Sequence, residues 1–239
     1  MNMLESQAHN VTEVLVQAPA TIAFTLREIM REHALLIGLV VVYGFFALAV
    51  SSSYQLPHKL WPSFWGYAAL FFTPLVFAFC WHAISVMVFV RPARLTRHLI
   101  SSLRQHLTRD RVLFALPVLL LIPVFAATFT FLKMAIPIIE PYTWDARLSE
   151  WDRLAHGGVH PWQWLQPILG FPLVTGAINF LYSLWFFIMY AMLALQAFAL
   201  ENRRLRMQFF LSFVLSWILL GTFGAVAFAS MGPCYYPDF

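Results

Sequence analysis

Five stretches of this chain, 34–51, 61–90, 112–131, 172–199 and 207–231, are apolar at almost every position. Each is close to or beyond the roughly 20 residues that carry a helix across about 30 Å of hydrocarbon. In lipid the backbone has no water to bond, so a single run must satisfy its own N–H and C=O groups as a helix. Composition agrees: 61% of the 239 residues are hydrophobic and 11% charged, against roughly a quarter charged in soluble domains. That much apolar surface does not fit inside one soluble core of this size. The expected fold is an all-α membrane protein of five transmembrane helices, with an N-terminal segment 1–33 ahead of a single membrane domain 34–239. Ala47-Leu48-Ala49 resembles a signal-peptidase site, but 33 residues precede the apolar run, too many for the n-region of a cleaved signal. An uncleaved first span is expected.

Positive charge orients the helices. Of the fifteen Lys and Arg, two lie before the first span, one after it, six between Arg91 and Arg111, three at Arg203–Arg206 and three within 133–165. The last three face four carboxylates, Glu140, Asp145, Glu150 and Asp152. Positive charge in short loops marks the cytoplasmic side, which predicts a multi-pass protein of the cell (inner) membrane, N-terminus in and C-terminus out. The net charge of +4 is accounted for by these clusters and is no nucleic-acid signal. Leu95, Leu99, Leu103 and Leu107 recur every fourth residue among the arginines, which predicts an amphipathic helix on the cytoplasmic surface. Ile22, Leu26, Ile29 and Met30 predict a second amphipathic stretch near the N-terminus, interfacial or solvated. Thr73-Pro74 is the expected kink of the second span. His82 within that span is read either as a functional group or as a hydrogen-bonded packing residue. Two cysteines, Cys80 and Cys234, are too few for a disulfide framework.

The longest polar interruption is 133–165, which holds four of the nine Trp. Asp145 is placed to cap a helix over 146–156, with Gly157-Gly158 as its stop, and Pro161 to open a second one. Trp144, Leu148, Trp151 and Leu154 fall on one face, away from Arg147, Glu150 and Arg153. This segment is therefore expected to be an outer, interfacial cap. Three groupings within reach of it bear on chemistry. His156 and His160 have the four-residue spacing of metal ligands, but glycines interrupt the helix and no third ligand follows, so no metal is expected. Asp145 and Asp152, seven apart, suit paired acid–base work; capping and surface pairing explain them more simply. Asn179, Tyr182 and Trp185 share a face of the fourth span, for headgroup binding or for packing against the cap.

A longer string of residues carries a resemblance. It runs Lys133, Pro137, Pro141, Trp144-Asp145, then Trp151-Asp152-Arg153-Leu154, His156-Gly157-Gly158 and Pro161-Trp162. Asn179, Tyr182, Trp185-Phe186, Ser230 and Gly232-Pro233-Cys234-Tyr235 continue it. Over 112–239 the chain resembles the inositol-phosphotransferase-like branch of the type-2 phosphatidic acid phosphatase superfamily, to which inositol phosphorylceramide synthases belong. The resemblance implies a six-helix bundle whose site opens on the non-cytoplasmic face, and phosphoryl transfer through a phosphohistidine. It also implies headgroup-binding roles for Lys133, Asp145, Asp152, His156, Asn179, Tyr182, Gly232 and Pro233.

The departures matter as much. The catalytic Pro-Ser-x-His and His-x-x-x-Asp motifs of that branch lie beyond its Gly-Pro-Cys-Tyr stretch, and neither follows Tyr235 here. Asn179 stands where Asp is usual, and Ala229-Ser230-Met231 where a Pro-Ser-Ala-like lead-in is. Glu140-Pro141 replaces an Arg-Pro, and an acidic residue cannot take over a grip on phosphate. The resemblance thus implies the N-terminal portion of a lipid phosphatase or phosphotransferase, a partial six-helix bundle without cofactor, without catalytic residues of its own and inactive alone. Membrane lipids are its expected partners, together with a further helix against the small face of Gly221, Ala225 and Ala229. The other reading is a non-catalytic five-span protein that binds lipid or a partner.

Overall fold

A computed structural model describes residues 25–57 and 60–232. They form helices and, among the described residues, no strand: α1 (Leu26–Ser53), α2 (Leu60–Ser85), α3 (Leu95–His106), α4 (Arg109–Ile139), α5 (Asp145–Ala155), α6 (Pro161–Leu169), α7 (Pro172–Phe198) and α8 (Arg203–Ile218). A π-helical turn, Val86–Val90, extends α2, and a second, Leu219–Gly224, carries α8 into a last turn at Ala225–Ala227. Five of these helices are long and apolar enough to cross a membrane. They start or end within a few residues of the five apolar runs, with two informative exceptions.

The first is α1. Its opening turns absorb the predicted N-terminal amphipathic stretch from Leu26 onward; the part before Thr25 lies outside the described residues. Thr25 and Glu28 form a capping box, with Thr25 N–H on Glu28 Oε2 at 2.9 Å and Glu28 N–H on Thr25 Oγ1 at 3.3 Å. The second is α4, which runs to Ile139, so Lys133 is helical and not the start of the outer loop. At 31 residues the helix is about 46 Å long. That is long enough to cross headgroup layers as well as hydrocarbon, and a lysine in its last turns has an apolar stem that can reach water from such a depth. Pro117, Pro123 and Pro137 all lie inside it, as Pro74 lies inside α2.

α4 is the central stave. Half of its hydrophobic window is buried, against 28% for α1 and 11% for α2 and α7. The buried face of α1, Ile29, His33, Leu36, Val40, Tyr43, Ala47 and Val50, advances in alternating steps of four and three. That is the 3.5-residue repeat by which one helix lies along another at a shallow left-handed crossing. Polar pairs bridge the staves inside the bundle. Tyr43 Oη and Thr222 Oγ1 are 2.6 Å apart between α1 and the π turn, and Tyr67 Oη and Thr130 Oγ1 are 2.5 Å apart between α2 and α4. Gly221 is needed where the π turn meets α4, since a Cβ there would stand 2.7 Å from the Phe129 ring. That ring is wedged between Phe125 and Trp217. On the small face, Gly221 lies against the Phe129 ring and Ala229 is fully buried, while Gly221 and Ala225 remain half-buried.

The two ends of the bundle differ in chemistry. One end holds α3, docked on the second span, and the basic turn that precedes α8. Arg206, counted above among the arginines that mark the cytoplasmic side, is 1% exposed. Its Nε donates to Gln196 O at 2.9 Å, and Nη2 to Ala197 O at 3.0 Å and Phe114 O at 3.2 Å. Nη1 lies 2.9 Å from His33 Nε2. His33 Nδ1 donates to Ile29 O at 2.8 Å, which leaves Nε2 as the acceptor for Arg206. The guanidinium also stacks on Phe114 and Phe210, 4.4 and 5.4 Å from their centroids. One side chain so joins α1, α4, α7 and α8, and Arg203–Glu32 at 2.5 Å adds a peripheral tie between α1 and α8.

Replacing Arg206 by Met leaves the Gln196, Ala197 and Phe114 carbonyls and His33 Nε2 without their donor, and should cost about 2–4 kcal/mol. Arg204→Met, on an exposed neighbour, removes the same charge and should be near neutral. Thermal unfolding of the detergent-purified variants, followed by circular dichroism, distinguishes the two; equal melting temperatures would remove Arg206 from its structural role.

Candidate functional site

The opposite end carries the cap, and one carboxylate fastens it. Asp145 does not cap the helix it begins: Trp144 occupies the N-cap position, and no side chain serves there. The Asp145 carboxylate, only 7% exposed, turns to the end of the fifth span. Ser230 Oγ donates to Oδ1, Met231 N–H lies 3.2 Å from Oδ2, and Gly232 N–H is 3.3 Å from Oδ1. Trp144 N–H donates to Ala229 O at 3.3 Å, and the Trp144 ring meets Phe228 at 5.0 Å. Gly232 has φ +85°, which an L side chain resists. With that dihedral, consecutive N–H groups converge on one anion as a small nest. Within the described residues the anion is Asp145.

The cap itself follows the sequence expectations closely. α5 ends in a Schellman turn, with Gly158 N–H on Arg153 O at 2.8 Å and Gly157 N–H on Leu154 O at 3.4 Å. Gly157 and Gly158 both have positive φ, +69° and +89°, and nothing crowds them, so the backbone angle is what calls for glycine. Pro161 opens α6. Glu150 and Arg153 form a bidentate pair, with bonds of 2.8 and 2.9 Å. Those hydrogen bonds hold the Glu150 carboxyl below its usual range. The Trp151 and Leu154 side chains on the apolar face remain exposed, as do Trp162 and Trp164 on α6. The cap is therefore fastened at Trp144–Asp145, and its tryptophans are exposed where an interface can meet them.

Below the latch, α1, α4 and the end of the fifth span enclose a cleft of about 400 Å³. Phe46, Val50, Tyr54, Leu132, Ile139 and Phe223 are among its walls, and Thr222, held by Tyr43, lies within it.

Other residues singled out in the sequence are not gathered there. Lys133 is exposed, with Nζ 6.0 Å from the Phe129 centroid. Asp152 is exposed, and its backbone oxygen, not its carboxylate, accepts from His156 Nδ1 at 2.7 Å. The His156 ring meets Trp164 edge-on at 6.0 Å. Asn179, Tyr182 and Trp185 lie on the exposed surface of α7, where the Tyr182 ring meets Phe186 edge-on. Pro233, Cys234 and His58 fall outside the described residues. Among the described residues no three His, Cys, Asp or Glu come together as metal ligands. His82 Nε2 is 3.0 Å from Ser102 Oγ and docks α3 on the second span. A His-x-x-x-Asp spacing does occur, His106 to Asp110. It lies at the start of α4, the end of the bundle remote from the cap, and His106 Nδ1 donates to Ser102 O at 2.9 Å.

The pairing of Asp145 with Ser230 joins residues 85 apart in the chain, and no local pattern announces it. Compared with family models, with curated proteins and with solved structures, the chain matches none.

Asp145→Ala should release the Ser230–Gly232 turn, at about 1.5–3 kcal/mol for a charge-assisted bond lost. Hydrogen exchange at the Met231 and Gly232 amides should then quicken by at least tenfold, while amides in the middle of α4 keep their wild-type rates. Unchanged exchange at 231–232 would show that the latch contributes nothing.

Proposed function

We propose that this chain supplies the membrane bundle and outer cap of a lipid phosphatase or phosphotransferase of the inositol-phosphotransferase-like kind, acting on phospholipid-type substrates at the non-cytoplasmic face. The observation that carries the reading is the latch. Trp144-Asp145 and Ser230-x-Gly232, the first and last strings of the resemblance, are distant in sequence and bonded in space. Motif residues that converge at one end of a bundle form one site; scattered matches would have no reason to meet.

The site's parts fit a phospholipid. The cleft of about 400 Å³ lies within the apolar depth of the bundle, where an acyl chain belongs, and Tyr54 stands at its cap side. Interfacial tryptophans surround the level of a headgroup. The Ser230 hydroxyl and the Met231 and Gly232 amides are engaged by the Asp145 carboxylate, so Asp145 is a positioning residue that fixes the turn and the cap beside which the headgroup would lie. His156 is committed to a backbone carbonyl and the Trp164 ring, away from this cluster. The covalent step of a phosphohistidine route therefore requires a nucleophile and an acid that the described residues do not place there.

A photoactivatable phosphatidic acid, reconstituted with the full 239-residue chain, tests this directly. Mass spectrometry of the crosslinked peptides should place label in 140–165 and 226–232, at several times the level on the exposed α7 face around Trp185. Asp145→Ala should reduce it. The chain alone should release no phosphate above a detergent blank. Label spread evenly over all lipid-facing helices would overturn the proposal in favour of a non-catalytic membrane protein, and steady phosphate release would place the chemistry on this chain's own residues.

A further inference from the structure

At the end of the bundle remote from the cap, α3 presents a surface that the proposed function does not use. None of its residues is buried, yet it is held in place at both ends. Ser102 Oγ bonds His82, 3.0 Å away, and Leu95, Leu99 and Leu103 are half-buried on the side toward the second span. Before it, Arg91 takes a left-handed backbone conformation at φ +46°, and its Nε donates to Val88 O at 3.0 Å. After it, Thr108 caps α4 through Arg111 N–H at 3.4 Å. The outward face is thereby set by the fold. At 100° per residue, Arg94, Arg97 and Arg104 fall within roughly 80° of arc, and all three are exposed. Ile100 and Leu107, each 46% exposed, border that stripe.

From these placements we infer that α3 is a docking surface for anionic phospholipid headgroups of the adjacent leaflet, with Arg94, Arg97 and Arg104 as the headgroup contacts. Charge complementarity carries the assignment. Between Arg91 and Arg111 there are six arginines and one carboxylate, Asp110, and among the described residues the three stripe arginines form no ion pair. A guanidinium matches a phosphodiester through two parallel N–H donors. The apolar border distinguishes a bilayer from a soluble anion: Ile100 and Leu107 gain only where acyl chains lie beside the phosphates. A nucleic-acid surface would interleave aromatic residues for base stacking, and none occurs between Arg91 and Arg111. The basic segment thus does more than orient the chain during insertion; it holds particular lipids against the second and third spans.

The test is native mass spectrometry of the purified full-length chain, titrated with phosphatidylglycerol or phosphatidylcholine of the same acyl chains. Wild type should bind the anionic lipid about a hundredfold more tightly. With each arginine near the surface contributing about fivefold, the triple variant Arg94→Gln, Arg97→Gln, Arg104→Gln should lose about a hundredfold in phosphatidylglycerol affinity and keep its phosphatidylcholine affinity and helical circular dichroism. The matching triple Lys variant, with charge retained, should keep most of the preference, and Ile100→Gln with Leu107→Gln should weaken both lipids. Equal binding of the two lipids by wild type, or a preference that survives the triple Gln variant, overturns the inference. So does displacement of bound lipid by millimolar inorganic phosphate, which would identify a free-anion site, or tighter retention of an RNA oligonucleotide than of phosphatidylglycerol.

Discussion

A guanidinium cut off from water holds the basic end of this bundle together. Burying a cation is costly unless every donor finds a partner, and Arg206 finds them without a carboxylate. Two of its acceptors, Gln196 O and Ala197 O, belong to the last turn of α7. Ala199 N–H reaches Gln196 O at 3.3 Å, and carbonyls of a last turn carry the negative end of the helix dipole and retain acceptor capacity. The cation therefore satisfies a need that α7 would otherwise meet with lipid headgroups or water. His33 completes the arrangement: its Nδ1–H is engaged by its own helix, so its lone pair faces the arginine. Because the four partners come from α1, α4 and α7, displacing any one span at this end breaks the set.

The cap end is built on the opposite sign and a lighter scale. There a carboxylate collects a hydroxyl and two backbone N–H groups that no helix uses, since the fifth span ends just before them. Both ends obey one rule, that buried backbone polar groups without a helical partner find one elsewhere, here side chains of complementary charge. The difference lies in what surrounds the bond. Arg206 is enclosed by aromatic rings and staves, whereas Asp145 sits under a cap whose α5 and α6 keep their apolar faces exposed. The first joint is enclosed on all sides and the second lies at the edge of the bundle.

Much of the cap was legible because its signals are local. Gly157-Gly158, Pro161 and the Trp144–Trp151 face each act within a few residues, and the structure uses them as expected. Asp145 misled for the same reason. An Asp before a helical stretch reads as an N-cap, and only the return of the chain at Ser230 offers its carboxylate better donors. Lys133 and Pro137 looked like the end of a span, yet an amphipathic stem and a proline near the terminus are both compatible with a helix that continues to Ile139. Asn179, Tyr182 and Trp185 do share one face, but which neighbour that face meets depends on how α7 is rotated in the bundle. Arg206 was counted for its charge alone. The clue was its four-residue spacing with Phe210, Val214 and Ile218, which puts it on the buried stripe of α8.

What the amino-acid sequence determined by itself is everything that the bilayer dictates to a single segment. Length and apolarity specify five crossing helices, arginine clusters mark one end, and turn residues shape the cap, because each of these forces acts within one run of chain. What only the tertiary structure decided is which polar groups meet across the bundle: Arg206 with His33, Tyr43 with Thr222, Asp145 with Ser230. Those pairs depend on the rotation and depth of whole helices relative to α4. Rotation and depth are settled by packing in three dimensions, such as Gly221 against Phe129; the helical period shows which residues share a face, and packing decides what that face meets.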